Sequence, residues 1–209
     1  MPLLSEQFLV LASAHFLALL SPGPDFFVLV GHTARHGVRN GLGIATGIAF
    51  ANAAYIAAAL AGFSLLTGNA ILSAAVRALG AAFLVWLGWG FLRSARAGPE
   101  WRPADGEKIR RGFRAGLLTG LLSGGLNPKN GLFYLGLFSL AVERGTPAGV
   151  RLFYGIWMFA VVLGWDALLV LGLRAGRATE LLCRHQRKIE GFAGVCLLGL
   201  AAVIVAGLI

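Results

Sequence analysis

Charge is scarce in this chain. Asp, Glu, Lys and Arg together make up 13% of its 209 residues, against roughly 25% in a soluble domain. So few charges cannot clothe a globule of this size in a polar skin, which leaves almost no room for a soluble enzyme. Cysteine is nearly absent too. Cys183 and Cys196 form neither a C-x-x-C pair nor an even-numbered framework, so nothing about redox compartment follows from them, and Cys196 reads as packing within an apolar run. No G-x-x-x-x-G-K-[ST], H-E-x-x-H or G-x-S-x-G motif occurs, which argues against ATP-driven work by this chain alone and against two large hydrolase classes. Cys196 and His15 stand isolated from other thiols and imidazoles, so no soft-metal cluster is expected inside the apolar segments, and no cofactor is implied.

Apolar residues and glycine fill the space that charge leaves. The AVILMFWYC set is 57% of the chain and glycine adds 30 residues, a composition that also excludes disorder. The net charge of +9 would suggest nucleic acid in a soluble protein. Here the charges sit in short clusters between long apolar runs, and they read as anchors at a membrane surface rather than as a nucleic-acid footprint.

A helix needs about 20 apolar residues to cross the hydrocarbon layer, and six runs meet that need. They cover about 8–30, 42–66, 71–92, 112–142, 152–173 and 191–209. Residues 40–76 hold no Asp, Glu, Lys or Arg, too long for one crossing, so a turn near Thr67-Gly68-Asn69 is expected between the second and third. The third run takes in Arg77, snorkelling to an interface. Residues 1–7 carry Glu6 and no basic residue, unlike a signal peptide, so the first run is read as a mature helix. Basic residues collect between helices one and two (Arg35, Arg39), three and four (Arg93, Arg96, Arg102, Lys108, Arg110, Arg111, Arg114), and five and six (Arg174, Arg177, Arg184, Arg187, Lys188). Only Arg77, Arg144 and Arg151 fall on the other side. The positive-inside rule then places both termini outside and the 93–111 loop in the cytoplasm.

The expected fold is therefore an all-α membrane protein: one polytopic domain over 1–209, built as two inverted three-helix repeats. The halves span about 1–92 and 112–209. Arg77-x-x-Gly80 with Gly88 is echoed by Lys188-x-x-Gly191 with Gly199, and Pro24 matches Pro128 in helices one and four. An odd number of crossings inverts the second copy, a common plan of secondary transporters.

Helices one and four are expected to be broken. In Ser21-Pro22-Gly23-Pro24-Asp25, two prolines each remove a backbone donor and disfavour helix at the preceding residue. Such a break must face protein or a water-filled cavity rather than lipid. Asn127-Pro128-Lys129 combines a good N-cap with proline at the next position, a pattern that starts a new half-helix. The N-termini of half-helices suit an anionic group such as a carboxylate. Charges at mid-bilayer are expensive and seldom kept without a function. Asp25 and Lys129 can neutralise one another or bracket a zwitterion, Lys129 at its carboxylate and Asp25 at its ammonium. Asp166 follows 14 uncharged residues after Arg151 and is, with Asp25, a candidate proton carrier. Asn52 joins the candidate substrate contacts, while Tyr55 and His15 are weaker ones, His15 reading more readily as a satisfied interior residue. Gly112, Gly116, Gly120 and Gly124, with Gly43 and Gly47, make smooth faces that suit either internal packing or a homodimer.

With SPGPDFF in helix one, a basic loop after helix three, GLLSGGLNPKNGLFYLGLF in helix four and RKIEGFAG opening helix six, essentially the whole chain resembles the LysE/RhtB family of bacterial amino-acid exporters, its threonine and homoserine branch most. The resemblance implies six helices in the inner membrane and export of an amino acid or derivative driven by the proton-motive force. It implies too that Pro22, Gly23, Pro24 and Asp25 occupy one family motif and Asn127, Pro128 and Lys129 the other. Two positions depart from the pattern: Asp25, where many members carry Asn, and Asn130, where a small alanine is usual.

The residues and the resemblance together predict a proton-coupled exporter of a small amino acid and not an enzyme. The competing readings are a cation exporter, a membrane scaffold or sensor without transport, and an intramembrane enzyme using Asp25 and Asp166 as paired carboxylates.

Overall fold

The computed structural model describes residues 6–20, 23–66, 70–97, 112–142, 145–174 and 177–206. Among the described residues the chain forms α1 (Glu6–Leu20), α2 (Pro24–His36), α3 (Val38–Leu66), α4 (Ala70–Ala97), α5 (Phe113–Leu126), α6 (Pro128–Ala141), α7 (Ala148–Arg174) and α8 (Arg177–Val205), with no strand. The turn expected at Thr67-Gly68-Asn69, most of the 93–111 loop and the Arg77 side chain lie outside them.

Both expected breaks are present. Gly23 is extended (φ −110°, ψ −173°), Pro24 opens α2, and α1 and α2 are bent by 51°. Asn127 (φ −80°, ψ 104°) ends α5 and caps α6, which opens on Pro128. The two prolines sit where their missing N–H is harmless and their fixed φ favours a new helix. α3 and α7 are each long and apolar enough to cross a membrane, and α1 with α2 makes a third such unit as one bent span. α8 differs from expectation. It opens at Arg177, well before Gly191, so most of the basic segment between the fifth and sixth runs is helical. The segment RATELLCRHQRK contains neither glycine nor proline, and nothing in it stops helix propagation.

Two clusters form the interior. One gathers Leu11 of α1, Leu84 and Phe91 of α4, Phe133, Tyr134 and Phe138 of α6, Tyr154 and Met158 of α7, and Ala193 and Leu197 of α8. The other gathers Leu29, Ile44, Ile48, Val162 and Val170 from α2, α3 and α7. Large apolar side chains also point outward, among them Leu79, Trp86, Leu122, Ile156 and Phe192, as a lipid-facing surface requires.

The most extensive helix interface joins α3 to α5, and glycines make it. A methyl group on Gly116 would strike the Asn40 carbonyl oxygen, one on Gly120 that of Ile44, one on Gly43 that of Phe113, and one on Gly47 that of Leu117. Residue numbers rise together along both helices, so they run parallel. Of the two roles open to these glycine faces, the structure uses them for internal packing. α4 and α8 make a second close contact, antiparallel, with Gly194 against the Gly88 carbonyl and the Leu92 side chain. Gly199, the counterpart of Gly88 in the expected repeat, faces open space.

A contrast between two glycines tests this packing. Gly120→Ala is expected to lower the melting temperature of the detergent-solubilised protein, because its methyl group meets Ile44 backbone that cannot yield. Gly90→Ala, with open space around it, should raise stability by about 0.5–1 kcal/mol through helix propensity.

Candidate functional site

The two helix breaks meet at one cavity. Gly23 and Asp25 from the first break, Asn127, Lys129 and Asn130 from the second, His15 of α1, Asn52 of α3, Tyr134 of α6, and Trp165 and Asp166 of α7 all line it. Its volume is about 80 Å³, room for roughly two or three waters at about 30 Å³ each, or for a small polar group in their place.

Asp25, in the first turn of α2, sends its carboxylate across to the second break. Oδ1 accepts from the Ser123 hydroxyl at 2.6 Å, and Oδ2 accepts from the side-chain amides of Asn127 at 3.0 Å and Asn130 at 2.9 Å. Three donors on one carboxylate, beside the positive end of α2, hold a negative charge firmly. The two positions that depart from the pattern of the resembled family, Asp25 and Asn130, are thus bonded to each other.

Asn127 works in two directions. Its Oδ1 accepts from the Lys129 backbone N–H at 3.1 Å, capping α6, while its amide serves Asp25. The carbonyls freed at the end of α5 are taken up as well. The Tyr55 hydroxyl donates to the Gly125 oxygen at 2.5 Å, and Asn130 Nδ2 also donates to Gly124 at 3.3 Å. Tyr55 is therefore a cap on the broken helix, and it does not line the cavity.

The expected neutralisation of Asp25 by Lys129 is not a direct ion pair among the described residues. The Lys129 Nζ stands over the Phe91 ring, 4.6 Å from its centroid, within electrostatic reach of Asp25 and Glu190. A methyl group on Gly23 would come within 3.3 Å of that nitrogen, so this glycine leaves room for the ammonium. Asp166 is buried at the cavity wall, without a hydrogen-bond partner among the described residues. Asn52 is buried with its Oδ1 unpaired. His15, 1% exposed, places Nε2 3.3 Å from the Tyr134 hydroxyl and packs on Phe133 and Trp157. It is an interior residue, as expected, yet it lines the cavity with Nδ1 unpaired. Ser21 and Pro22 lie outside the described residues.

Sequence reasoning missed Ser123 and Glu190. The signal for the first was the spacing Ser123-x-x-x-Asn127-x-x-Asn130, one polar stripe along an otherwise apolar segment. Glu190 was hidden at the edge of a basic run.

The chain is similar in sequence to several known proteins. The threonine efflux protein of Escherichia coli (strain K12) is 30% identical over 200 residues, covering 92% of this chain and 94% of that protein. The threonine efflux protein of Salmonella typhi is 29% identical over 204 residues with the same coverage. The chemotactic transduction protein ChpE of Pseudomonas aeruginosa is 32% identical over 200 residues, covering 90% of this chain and 92% of its own. No solved structure matches. The family described as LysE type translocator matches residues 16–207. A buried polar cavity between two broken helices in an apolar bundle, and a family match over almost the whole sequence, make this chain a multi-pass membrane transporter rather than an enzyme: it belongs to the LysE type translocators.

Proposed function

We propose that the protein exports a small amino acid or close derivative, threonine- or homoserine-like, from the cytoplasm in exchange for protons. The observation that carries this reading is the convergence of two half-helix N-termini, one ammonium and two carboxylates on a single small cavity. A zwitterion needs both signs of charge within its own length, and the site offers both. Lys129 and the N-terminus of α6 take the carboxylate. Pro22, Gly23, Pro24 and Pro128 hold the breaks open, with Ser21, Asn52 and Asn127 as further polar contacts. Of the two candidate proton carriers, Asp166 is the better placed. Asp25 is committed to three neutral donors, whereas Asp166 stands at the cavity wall without one. When ionised, Asp166 attracts the substrate ammonium; when protonated, it releases it, so substrate and proton exclude one another. That exclusion is what antiport requires.

In this reading the chain crosses the inner membrane six times. α1–α2, α3, α4, α5–α6, α7 and α8 form two inverted halves about 1–92 and 112–209, with both termini outside and the 93–111 loop in the cytoplasm. The threonine efflux relatives support the substrate class.

Uptake into inside-out vesicles carrying the overexpressed protein tests the proposal, with labelled threonine, homoserine, leucine, cysteine, lysine and arginine, with and without an imposed proton gradient. Gradient-dependent accumulation of threonine or homoserine is expected; absence of flux for all six would overturn it. Lys129→Ala should abolish accumulation while the protein remains folded by size-exclusion chromatography. Asp166→Asn should lose gradient-driven accumulation and retain exchange of labelled for unlabelled substrate at zero gradient; full gradient response in that variant would remove Asp166 from the coupling step.

A further inference from the structure

We propose that Glu190 of α8 is the counter-ion of the Lys129 ammonium and a positioning residue of the transport site: it fixes where that ammonium stands and so leaves Asp25 to its neutral donors.

Glu190 is only 1% exposed. Along α8 it falls on the buried stripe that continues through Ala193, Gly194, Leu197 and Ala201, at the spacing of one helix face. That stripe packs on α4. Gly194 meets the Gly88 carbonyl and Leu92, and a Cβ on Gly191 would lie 3.9 Å from that of Ala95. Phe91 stands between these contacts on α4 and shares a packed cluster with Ala193 and Leu197. Lys129 reaches the same ring from α6. The acid of α8, next to the Gly191 contact with Ala95, therefore lies about a turn along α4 from the ring that the base of α6 reaches, and the two are within electrostatic reach of one another.

The charges around them favour this pairing. Asp25 has all three of its donors from neutral groups, so it does not hold the ammonium directly. Asp166 lies across the cavity on α7, and His15 of α1 is engaged with Tyr134. The other cations on α4 and α8 near this level, Arg93, Arg96, Arg187 and Lys188, are exposed, where solvent and headgroups screen them. A buried ammonium and a buried carboxylate are each costly alone and tolerable together. When a substrate carboxylate arrives, Lys129 can turn from Phe91 to meet it, with Glu190 keeping the cation from collapsing onto Asp25.

A double-mutant cycle on melting temperature, in detergent and without substrate, tests the pairing apart from any transport activity. Glu190→Gln and Lys129→Gln should each lower the melting temperature, and the double variant should melt above the worse of the two single variants, since it removes both members of the pair together. Losses that simply add would overturn the proposal. If a single variant cannot be recovered folded, recovery of the double variant supports it and failure of both overturns it. The positioning role rests on the transport reading above, and its readout is KM. Glu190→Gln should raise KM about tenfold, a 1.4 kcal/mol change, while Glu190→Asp restores most of the affinity. Unchanged KM in Glu190→Gln would refute that role. A chain that moves none of the amino acids tested sinks the transport reading, and the melting cycle still decides the pairing.

Discussion

Every other feature of this bundle depends on how two interrupted backbones are satisfied away from water. A helix broken at membrane depth leaves carbonyls without donors on one side and amides without acceptors on the other, each costing several kcal/mol in hydrocarbon. Here each break completes the other. Tyr55 and Asn130 donate to the last carbonyls of α5, Asn127 accepts from the first turn of α6, and the Asp25 carboxylate crosses from the first break to bind Ser123, Asn127 and Asn130. The acid that Pro24 places at the start of α2 thus orders the polar groups around Pro128. Polar side chains stranded in an apolar bundle are stable because they belong to one closed network.

Closure of that network leaves a remainder, and the remainder carries the chemistry. Lys129 projects past its own cap to Phe91 instead of joining Asp25. Asp166, Asn52 and His15 contribute to the cavity wall atoms that no protein group among the described residues takes up. Groups already paired inside the protein would have to break bonds to receive a solute; these do not. Small cavity size reinforces the selection, because a solute that replaces a few waters must match their hydrogen bonds with its own polar groups.

The helical plan was legible in the sequence because long apolar runs and proline leave few choices. Pro24 and Pro128 have no N–H to give and mark both breaks whatever the surroundings. Lateral relations were less legible. Gly43, Gly47, Gly116 and Gly120 announce a close helix contact, but a dimer and an internal interface ask for the same small residues, and only the packed bundle shows α3 against α5. Asp25 and Lys129 stood at matching points and invited pairing; the three amide and hydroxyl donors that claim Asp25 come from residues on both sides of the second break, in α5, at its cap and in α6, a relation set by tertiary contact. Glu190 read as the end of a basic segment because its burial depends on how far α8 extends, and helix ends are the least certain feature of any sequence.

The packing also limits how such a site can change its exposure. α3 and α5 touch backbone to backbone along several turns, and α4 and α8 do so at Gly88 and Gly194. Sliding or rocking either pair would separate atoms already at closest approach and drive others into overlap, since densely packed interfaces shift between discrete arrangements rather than deform smoothly. The breaks are different. Gly23 carries no side chain, and Asn127 holds α6 through a cap rather than a continuous ladder of hydrogen bonds. Changes of angle there rearrange a few side-chain bonds and leave the glycine interfaces whole. The same backbone interruptions that create the cavity are the least expensive places in the molecule to bend, so binding a solute across them acts directly on the elements that must move.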